Sequence, residues 1–354
     1  SEHSAAALHR YLDGATNDGG EPWWPVWAQA RQDAKVLFAR LINAKPSEIA
    51  FARSTIEAES NLLNGMDIQA SGGNVVTNDL HYSAAIYNYK MRQRAGLDVR
   101  IVKHRNWEID LRDMERAVDR KTKLVAIALV SNVNGYLHDV KAISELAHAH
   151  GALLYADIIQ CAGAIPIDVR AMGIDLAACS TYKWLMGTKG FGFLYVREAL
   201  QGTVVKPVQH SGRVRFNYAP WTTTPEAGVD EIGFKPVSGT ACYEVSYPSY
   251  EGAICAQESL KYIHALGIPN IRSHVRALTD RLQKEMPRIG YPSITPAGNE
   301  SPIVAFAARD PQQTMEKLRN AGVHVTMRFG NKMRISPSVF NNQEDFDKLL
   351  GALA

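Results

Sequence analysis

The sequence predicts an α/β fold: a large domain built on a mostly parallel, doubly wound sheet, followed by a smaller α+β domain at the C-terminal end. Short apolar runs alternate with helical segments between residues 49 and 196, which is typical of strands joined by crossover helices. The chain has 354 residues, more than one ordinary domain holds. Its last part mixes helical patterns with a short apolar run, which indicates a second unit.

The pattern divides the chain into three parts. We expect residues 1–15 to form an N-terminal arm that packs with the small domain, residues 16–250 to form the large domain, and residues 251–354 to form the small domain. Residues 4–13 predict a short amphipathic helix in the arm. Three tryptophans within residues 23–27 are costly to expose. They indicate either a subunit or domain contact or an apolar wall at the mouth of an active site.

The strands and helices follow from the apolar periodicity. Seven short runs predict the strands of the large domain, at residues 49–52, 74–77, 97–102, 124–130, 153–156, 175–179 and 192–196. Helical patterns lie at residues 26–41, 58–66, 111–118 and 250–265. In the small domain we expect helices at residues 271–286 and 311–321 and a strand at residues 303–307. Residues 209–221 mix cations with aromatic residues and predict a loop, either an active-site lid or a dimer arm.

Two of the predicted strands are followed by polar side chains. Asp157 ends one strand, while Ser180 and Lys183 follow the next. Open α/β sheets bind ligands beyond the carboxyl ends of their strands, so these side chains are candidates for one site. Alone, a lysine between aromatic residues is more often a surface residue with a buried stem. The combination matches pyridoxal phosphate, which needs a lysine for a Schiff base, a carboxylate for its ring nitrogen and hydroxyls for its phosphate.

The stretch from Leu153 to Arg197 resembles the class V aminotransferase family of fold-type I pyridoxal phosphate enzymes, and the spacing from Asp157 to Lys183 suits that family. The family includes cysteine desulfurases, kynureninases and isopenicillin N epimerase-like proteins. The resemblance implies a seven-stranded, mostly parallel sheet with one antiparallel strand. It also implies an enzyme with pyridoxal 5′-phosphate as its cofactor, held by Lys183 and with its ring kept protonated by Asp157.

The resemblance implies where the cofactor phosphate lies. Residues 53–57 combine a strand end, small hydroxyl residues and a helix start, so free N–H groups and the helix dipole would face an anion. By itself this pattern is more often a capping box. The resemblance places the Thr55 side chain, the Ile56 backbone and Ser180 on the phosphate. Thr240 is expected to reach the phosphate of a neighbouring subunit, which implies a homodimer with shared sites.

The resemblance also assigns the residues around the cofactor ring. A histidine at the position of His81 lies flat on the ring and can exchange protons near the reacting carbon. By itself His81 would be a loop histidine that caps the following helix. Asn132 and Gln160 are expected near the phenolic oxygen of the ring. Tyr182 stands where desulfurases usually carry histidine and kynureninase-type members carry tyrosine, which weakens a desulfurase assignment.

An arginine in the small domain predicts the substrate class. The family's carboxylate-binding arginine matches Arg334, whose guanidinium fork would bind the α-carboxylate of an amino acid beside Asn132. We expect Arg328 to form a structural salt bridge, although it could also face the site. The resemblance implies that the amino acid displaces Lys183 from the cofactor to form an external aldimine, and that the freed Lys183 then removes the α-proton, giving an α-carbanion.

The reaction that follows is open. We expect transamination or β-elimination with C–S cleavage; the alternatives are an amino-acid epimerase and a kynureninase-like hydrolase. Desulfurases that form a persulfide need a mobile loop cysteine before the carboxylate arginine, and residues 323–334 contain none. A non-catalytic protein that keeps the pyridoxal scaffold is the rival from another class. A nucleotide-dependent dehydrogenase is disfavoured, because no G-x-G-x-x-G opens the first βα turn.

Charge and composition exclude other classes of protein. The net charge of +3 is dispersed, so we expect no nucleic-acid partner. We see no run long and apolar enough for a membrane span and no signal region, so we expect a cytoplasmic protein without a membrane partner. The four cysteines are far apart and lack metal-site spacing, which indicates reduced, buried thiols and no metal.

Overall fold

The computed structural model describes residues 2–17, 19, 21–208, 215–216, 234–235, 238–245 and 248–354. Its centre is a sheet of seven strands: β1 (Ile49–Ala52), β2 (Asn74–Asn78), β3 (Asp98–Val102), β4 (Thr122–Ala128), β5 (Leu153–Asp157), β6 (Leu176–Ser180) and β7 (Gly192–Val196). The strand order is β1-β7-β6-β5-β4-β2-β3. Only β7 runs antiparallel to its neighbours in this sheet. The predicted fold class is confirmed, including the single antiparallel strand.

Helices cover both faces of this sheet. They are α1 (Glu2–Asn17), α2 (Trp24–Leu41), α3 (Thr55–Gly65), α4 (Ser83–Arg94), α5 (Leu111–Ala117), α6 (Val140–Ala149) and α7 (Tyr250–Leu266). One apolar cluster joins α3 and α4 to the face that carries Tyr155. The other joins α2, α5, α6 and α7 to the face that carries Ala156. Successive residues of a strand point to opposite faces, so a strand buried on both sides is apolar throughout.

The tryptophan cluster joins three helices. Trp27 is buried, and its ring centroid lies 4.6 Å from that of Tyr11 on α1 and 5.9 Å from that of Tyr250 on α7. α1 therefore packs against α2 and α7. None of these rings lines the cavity described below, so Trp27 makes an internal contact, with Trp23 packed against the same cluster. The predicted domain boundaries stay a prediction.

This cluster gives a matched pair of stability predictions. We expect Trp27→Ala to lower the free energy of unfolding by about 3–5 kcal/mol, because it removes a buried indole and leaves a cavity. Trp24→Ala should change it by less than about 0.5 kcal/mol, because Trp24 is 62% exposed. Urea unfolding of both variants measures the difference; equal effects would contradict the assignment of Trp27 to the core.

The C-terminal part contains a second sheet. Strands β10 (Val304–Ala307), β12 (Lys332–Ile335) and β11 (Thr326–Arg328) pair in that order, all antiparallel. Helices α8 (Ile268–Glu285), α9 (Pro311–Asn320) and α10 (Gln343–Leu353) form its core together with the inner face of the sheet. The helices α4, α6 and α10 and the strands β11 and β12 are additional to those predicted.

Two short strands lie outside both sheets. β8 (Arg215–Phe216) and β9 (Phe234–Lys235) form an antiparallel pair. The loop predicted at residues 209–221 therefore contains a strand, and its other residues lie outside the described part of the chain. Among the helices that the structure describes, none has the length and apolar character to cross a membrane.

Candidate active site

A cavity of about 320 Å³ lies at the carboxyl ends of β4, β5 and β6, within the size range of small-molecule sites. Most of the residues predicted for the site line it. They are Thr55, Ile56, Asn132, Asp157, Gln160, Ser180, Tyr182 and Lys183. Residues far apart in the chain meet here, because parallel strands deliver their carboxyl ends to one edge of the sheet.

Lys183 lies in the turn that follows β6. Its Nζ atom lies 6.0 Å from the ring centroid of Tyr82 and 5.9 Å from that of Tyr182. Burial lowers the pKa of Lys183, and the charges of Arg334 and Arg328 lower it further, while Asp157 opposes the shift. The uncharged amine is the form that attacks a carbonyl and accepts a proton. The position therefore suits a Schiff-base lysine.

Asp157 ends β5 at the base of the cavity. Its Oδ1 atom accepts a hydrogen bond from the backbone N–H of Ile159 at 2.9 Å. Burial raises the pKa of Asp157 to about 6, although the charges of His81 and Lys183 oppose that shift. A buried carboxylate without an ion-pair partner favours a cationic ligand group beside it. Asp157 can thus hold a protonated ring nitrogen.

The start of α3 forms an anion cradle. Ser54 caps the helix by accepting a hydrogen bond from Glu57 N, and the Glu57 carboxylate accepts one from Arg53 N, as in a capping box. Thr55 N donates to Ser180 Oγ at 2.9 Å, and Ser180 N donates to Thr55 Oγ1 at 3.0 Å. These bonds hold two hydroxyl groups at a helix N-terminus, where the dipole favours a phosphate.

Arg334 contacts the wall of the cavity from the small domain. Its Nη1 atom donates to the backbone oxygen of Asn132 at 2.6 Å. Its Nε atom and the Oδ1 atom of Asn132 are both buried and have no hydrogen-bond partner among the described residues. Unpartnered buried polar atoms are costly, which indicates that a ligand completes the site here.

His81 is not among the residues that line the cavity, and its predicted stacking on the cofactor ring stays a prediction. Its side chain is fully buried, with Nε2 3.5 Å from Oε1 of Glu59, and Tyr89 donates a 2.5 Å hydrogen bond to the same oxygen. Two aromatic residues, Tyr82 and Tyr182, line the cavity. Sequence reasoning missed Tyr82, although an aromatic residue directly after a candidate histidine was a signal. His81 acts through its charge, which lowers the pKa of Asp157.

Thr240 is buried in the single chain, and its hydroxyl donates to the backbone oxygen of Ile49 at 2.9 Å. Its predicted contact with the cofactor phosphate of a neighbouring subunit stays a prediction. The homodimer stays a prediction.

Arg328 was expected to form a structural salt bridge. It is exposed, and the structure records no ion pair for it with any other described residue. Its charge lowers the pKa of both Lys183 and Arg334. Arg328 is therefore close enough to the cavity to act on it.

The donors present fit pyridoxal phosphate. The cradle at α3 and Ser180 suits the phosphate of the cofactor. Asp157 suits its ring nitrogen, and Lys183 suits its aldehyde. The unpartnered amide of Asn132, with Gln160 beside it on the lining, suits its phenolic oxygen. No metal-ligating group of histidine, cysteine, aspartate or glutamate is found among the described residues.

Comparison with known proteins finds relatives in sequence and in fold. A probable cysteine desulfurase of Methanothermobacter thermautotrophicus is 33% identical over 252 residues, which cover 71% of this chain and 60% of that protein. An uncharacterized aminotransferase of Bacillus subtilis, YcbU, is 25% identical over 100% of this chain and 90% of its own. The apo structure of a cysteine desulfurase from Thermococcus onnurineus NA1 has a TM-score of 0.86 at 21% identity, with 99% of this chain and 90% of that chain covered, and so shows the same fold.

The family match covers most of the chain. The model of the family "Aminotransferase class-V" matches residues 25–349, which include every residue of the site described above. The chain therefore belongs to the aminotransferase class-V family and is a pyridoxal phosphate-dependent enzyme.

Proposed function

We propose that this enzyme removes the α-proton of an α-amino acid and then carries out either transamination or β-elimination with C–S cleavage. The observation that carries the proposal is the convergence of Lys183, Asp157 and the α3 cradle on one cavity, with Arg334 bonded to its wall. A lysine, a buried acid and a carboxylate-binding arginine are needed together only if an amino acid reacts here.

The chain's own residues would divide the work as follows. When bound, pyridoxal phosphate supplies an electron sink for negative charge at the substrate's α-carbon. Asp157 keeps a proton on the ring nitrogen, and the α3 N-terminus with Ser180 anchors the phosphate. Arg334 holds the α-carboxylate and orients the α-hydrogen towards Lys183, whose lowered pKa leaves Nζ free to accept that proton. Tyr82 and Tyr182 line the cavity on either side of the lysine amine.

The cysteines support direct release of any sulfur product. The chain has four, Cys161, Cys179, Cys242 and Cys255, and all are buried. Burial raises the pKa of each thiol, which disfavours the thiolate that attacks sulfur. None lies in β11, β12 or the turn between them. The cysteine desulfurases among the relatives thus support the cofactor chemistry more strongly than a persulfide mechanism.

An amino-acid panel tests the proposal. The holoenzyme is mixed with individual amino acids, and the keto acid, pyruvate with sulfide, kynurenine cleavage and α-deuterium exchange are measured. Keto acid, or pyruvate with sulfide, would support the proposal. Exchange with inversion alone would indicate the epimerase, and cleavage of kynurenine the hydrolase. A protein persulfide after incubation with cysteine would contradict direct release. The absence of α-exchange with all substrates would favour the non-catalytic scaffold.

The pKa of Asp157 gives a pH prediction. The carboxyl is ionised above about pH 6 and neutral below it, because burial raises its pKa to about 6. Only the ionised form attracts a protonated ring nitrogen. We therefore expect the affinity of the apoprotein for pyridoxal phosphate to fall as the pH decreases from about 7 to about 5, with an inflection near 6. Titration at each pH, followed by the visible absorption of the bound cofactor, measures it; a flat profile would contradict the role of Asp157.

A further inference from the structure

Three cations share one face of the small C-terminal sheet. Arg328 of β11 is paired with Lys332 of β12, and Thr326 with Arg334. The intervening pair, Met327 and Met333, packs into the core of the small domain. Since side chains alternate along a strand, Arg328, Lys332 and Arg334 lie on the opposite face. We call this surface the cationic face.

The cationic face looks towards the cavity. Arg334 reaches the backbone of Asn132, a residue of the cavity lining. The charges of Arg328 and Arg334 both act on Lys183, and that of Arg328 also acts on Arg334. Both guanidinium groups therefore belong to the face that meets the cavity wall through Arg334.

The third cation of this face, Lys332, is directed elsewhere. Its Nζ atom lies 5.3 Å from the ring centroid of Trp107. The same atom donates to Asn331 Oδ1 at 2.5 Å. Lys332 therefore lies on the same face as the two arginines, but its amine is directed at Trp107 and Asn331.

No acid neutralises these two guanidinium groups within the described residues. The salt bridges found there include none with Arg328 or Arg334. By contrast, three arginines on α8 of the same domain, Arg272, Arg276 and Arg281, all pair with carboxylates. Like charges held close together are unfavourable until an anion binds between them. The α-carboxylate of a substrate would pair with one guanidinium group, and the other would remain able to bind a second anion.

We propose that Arg328 binds a second anionic group, so that the preferred substrate is an α-amino acid with a negatively charged side chain, a carboxylate or a sulfinate. This inference rests on the proposed function and narrows its substrate class. Arg334 takes the α-carboxylate, and Arg328 takes the side-chain anion from the edge strand β11. A guanidinium fork matches both oxygens of either group.

Matched ligand pairs test this in the holoenzyme. L-Aspartate is compared with L-asparagine, and L-cysteine sulfinate with L-cysteine; the change in visible absorption of the bound cofactor reports binding without turnover. We expect the anionic member of at least one pair to bind at least ~10-fold more tightly. Arg328→Gln should weaken that binding by about 10–100-fold, as expected for the loss of a charged hydrogen bond, and change the neutral member by less than about 3-fold. A carboxylate and a sulfinate are distinguished by which pair shows the effect.

Lys332→Gln is the matched control. It removes a cation from the same face, but one directed at Trp107, so both pairs should change by less than about 3-fold. Arg328→Lys, which keeps the charge and loses the fork, should recover part of the affinity for the anion. Equal binding within both pairs, or equal losses for both members in Arg328→Gln, would overturn the inference and leave the proposed function standing. If no amino acid changed the spectrum, the proposed function would fail, and this inference with it.

Discussion

Lys183→Ala is expected to lower turnover of every amino-acid substrate by at least ~10³-fold, because it removes both the covalent attachment of the cofactor and the general base. Alanine also removes the cost of burying an amine, so the variant should be as stable as the parent protein. Steady-state kinetics measure the loss. Borohydride treatment followed by peptide mass spectrometry should find pyridoxyl label on Lys183 in the parent and none in the variant.

Lys189→Ala is the control for this change, because Lys189 is exposed a few residues further along the same segment. It should keep turnover within about 2-fold of the parent and should retain the label on Lys183. Turnover that survives Lys183→Ala, or a label on another lysine, would overturn the assignment of the cofactor lysine.

Asp157→Asn is expected to lower kcat/KM by about 10²–10³-fold, the usual cost of removing one preorganised electrostatic partner from a buried site. Asparagine has the same shape, but it is neutral and cannot keep the ring nitrogen protonated. The same substitution should stabilise the folded apoprotein. Burial raises the pKa of Asp157 to about 6, above its value in an unfolded chain, so the ionised carboxylate destabilises the folded apoprotein at neutral pH. The variant should therefore unfold at a higher temperature without cofactor.

Asp139→Asn is the matched control for the same chemical change. Asp139 is exposed and caps α6 by accepting a hydrogen bond from Ala142 N, a role that asparagine fills equally well. Neither activity nor apoprotein stability should change measurably. Full activity in Asp157→Asn, with its cofactor spectrum unchanged, would contradict the proposed role of the carboxylate.

The predicted strands of the large sheet agree with the structure to within one or two residues at most ends. Most of them are buried on both faces and contain a short apolar run between turn residues, a signal that depends on local sequence alone. The edge strand β3 is only partly buried. The polar residues that follow these runs, Asp157 and Lys183 among them, could be predicted from the sequence for the same reason. Strands β11 and β12 were missed because one face carries Arg328, Lys332 and Arg334, and their short alternating pattern has no continuous apolar run.

The surroundings of His81 show what the local sequence does not determine. At residues 81 and 82 the buried carboxylate of Glu59 holds the histidine inwards, and Tyr82 takes the cavity wall. Glu59 lies on a different helix, well before His81 in the chain, so the sequence pattern around His81 carried no trace of it.

For this protein, then, the order of apolar runs was enough to specify the large sheet, and the polar residues that follow the runs predicted the lysine, the acid and the anion cradle, because each depends on neighbouring residues. That Tyr82 and Tyr182 line one cavity with Lys183, and that Arg334 contacts Asn132, depended on tertiary contacts. Those contacts join segments that are far apart in the chain, and only the folded chain brings their charges within reach of each other.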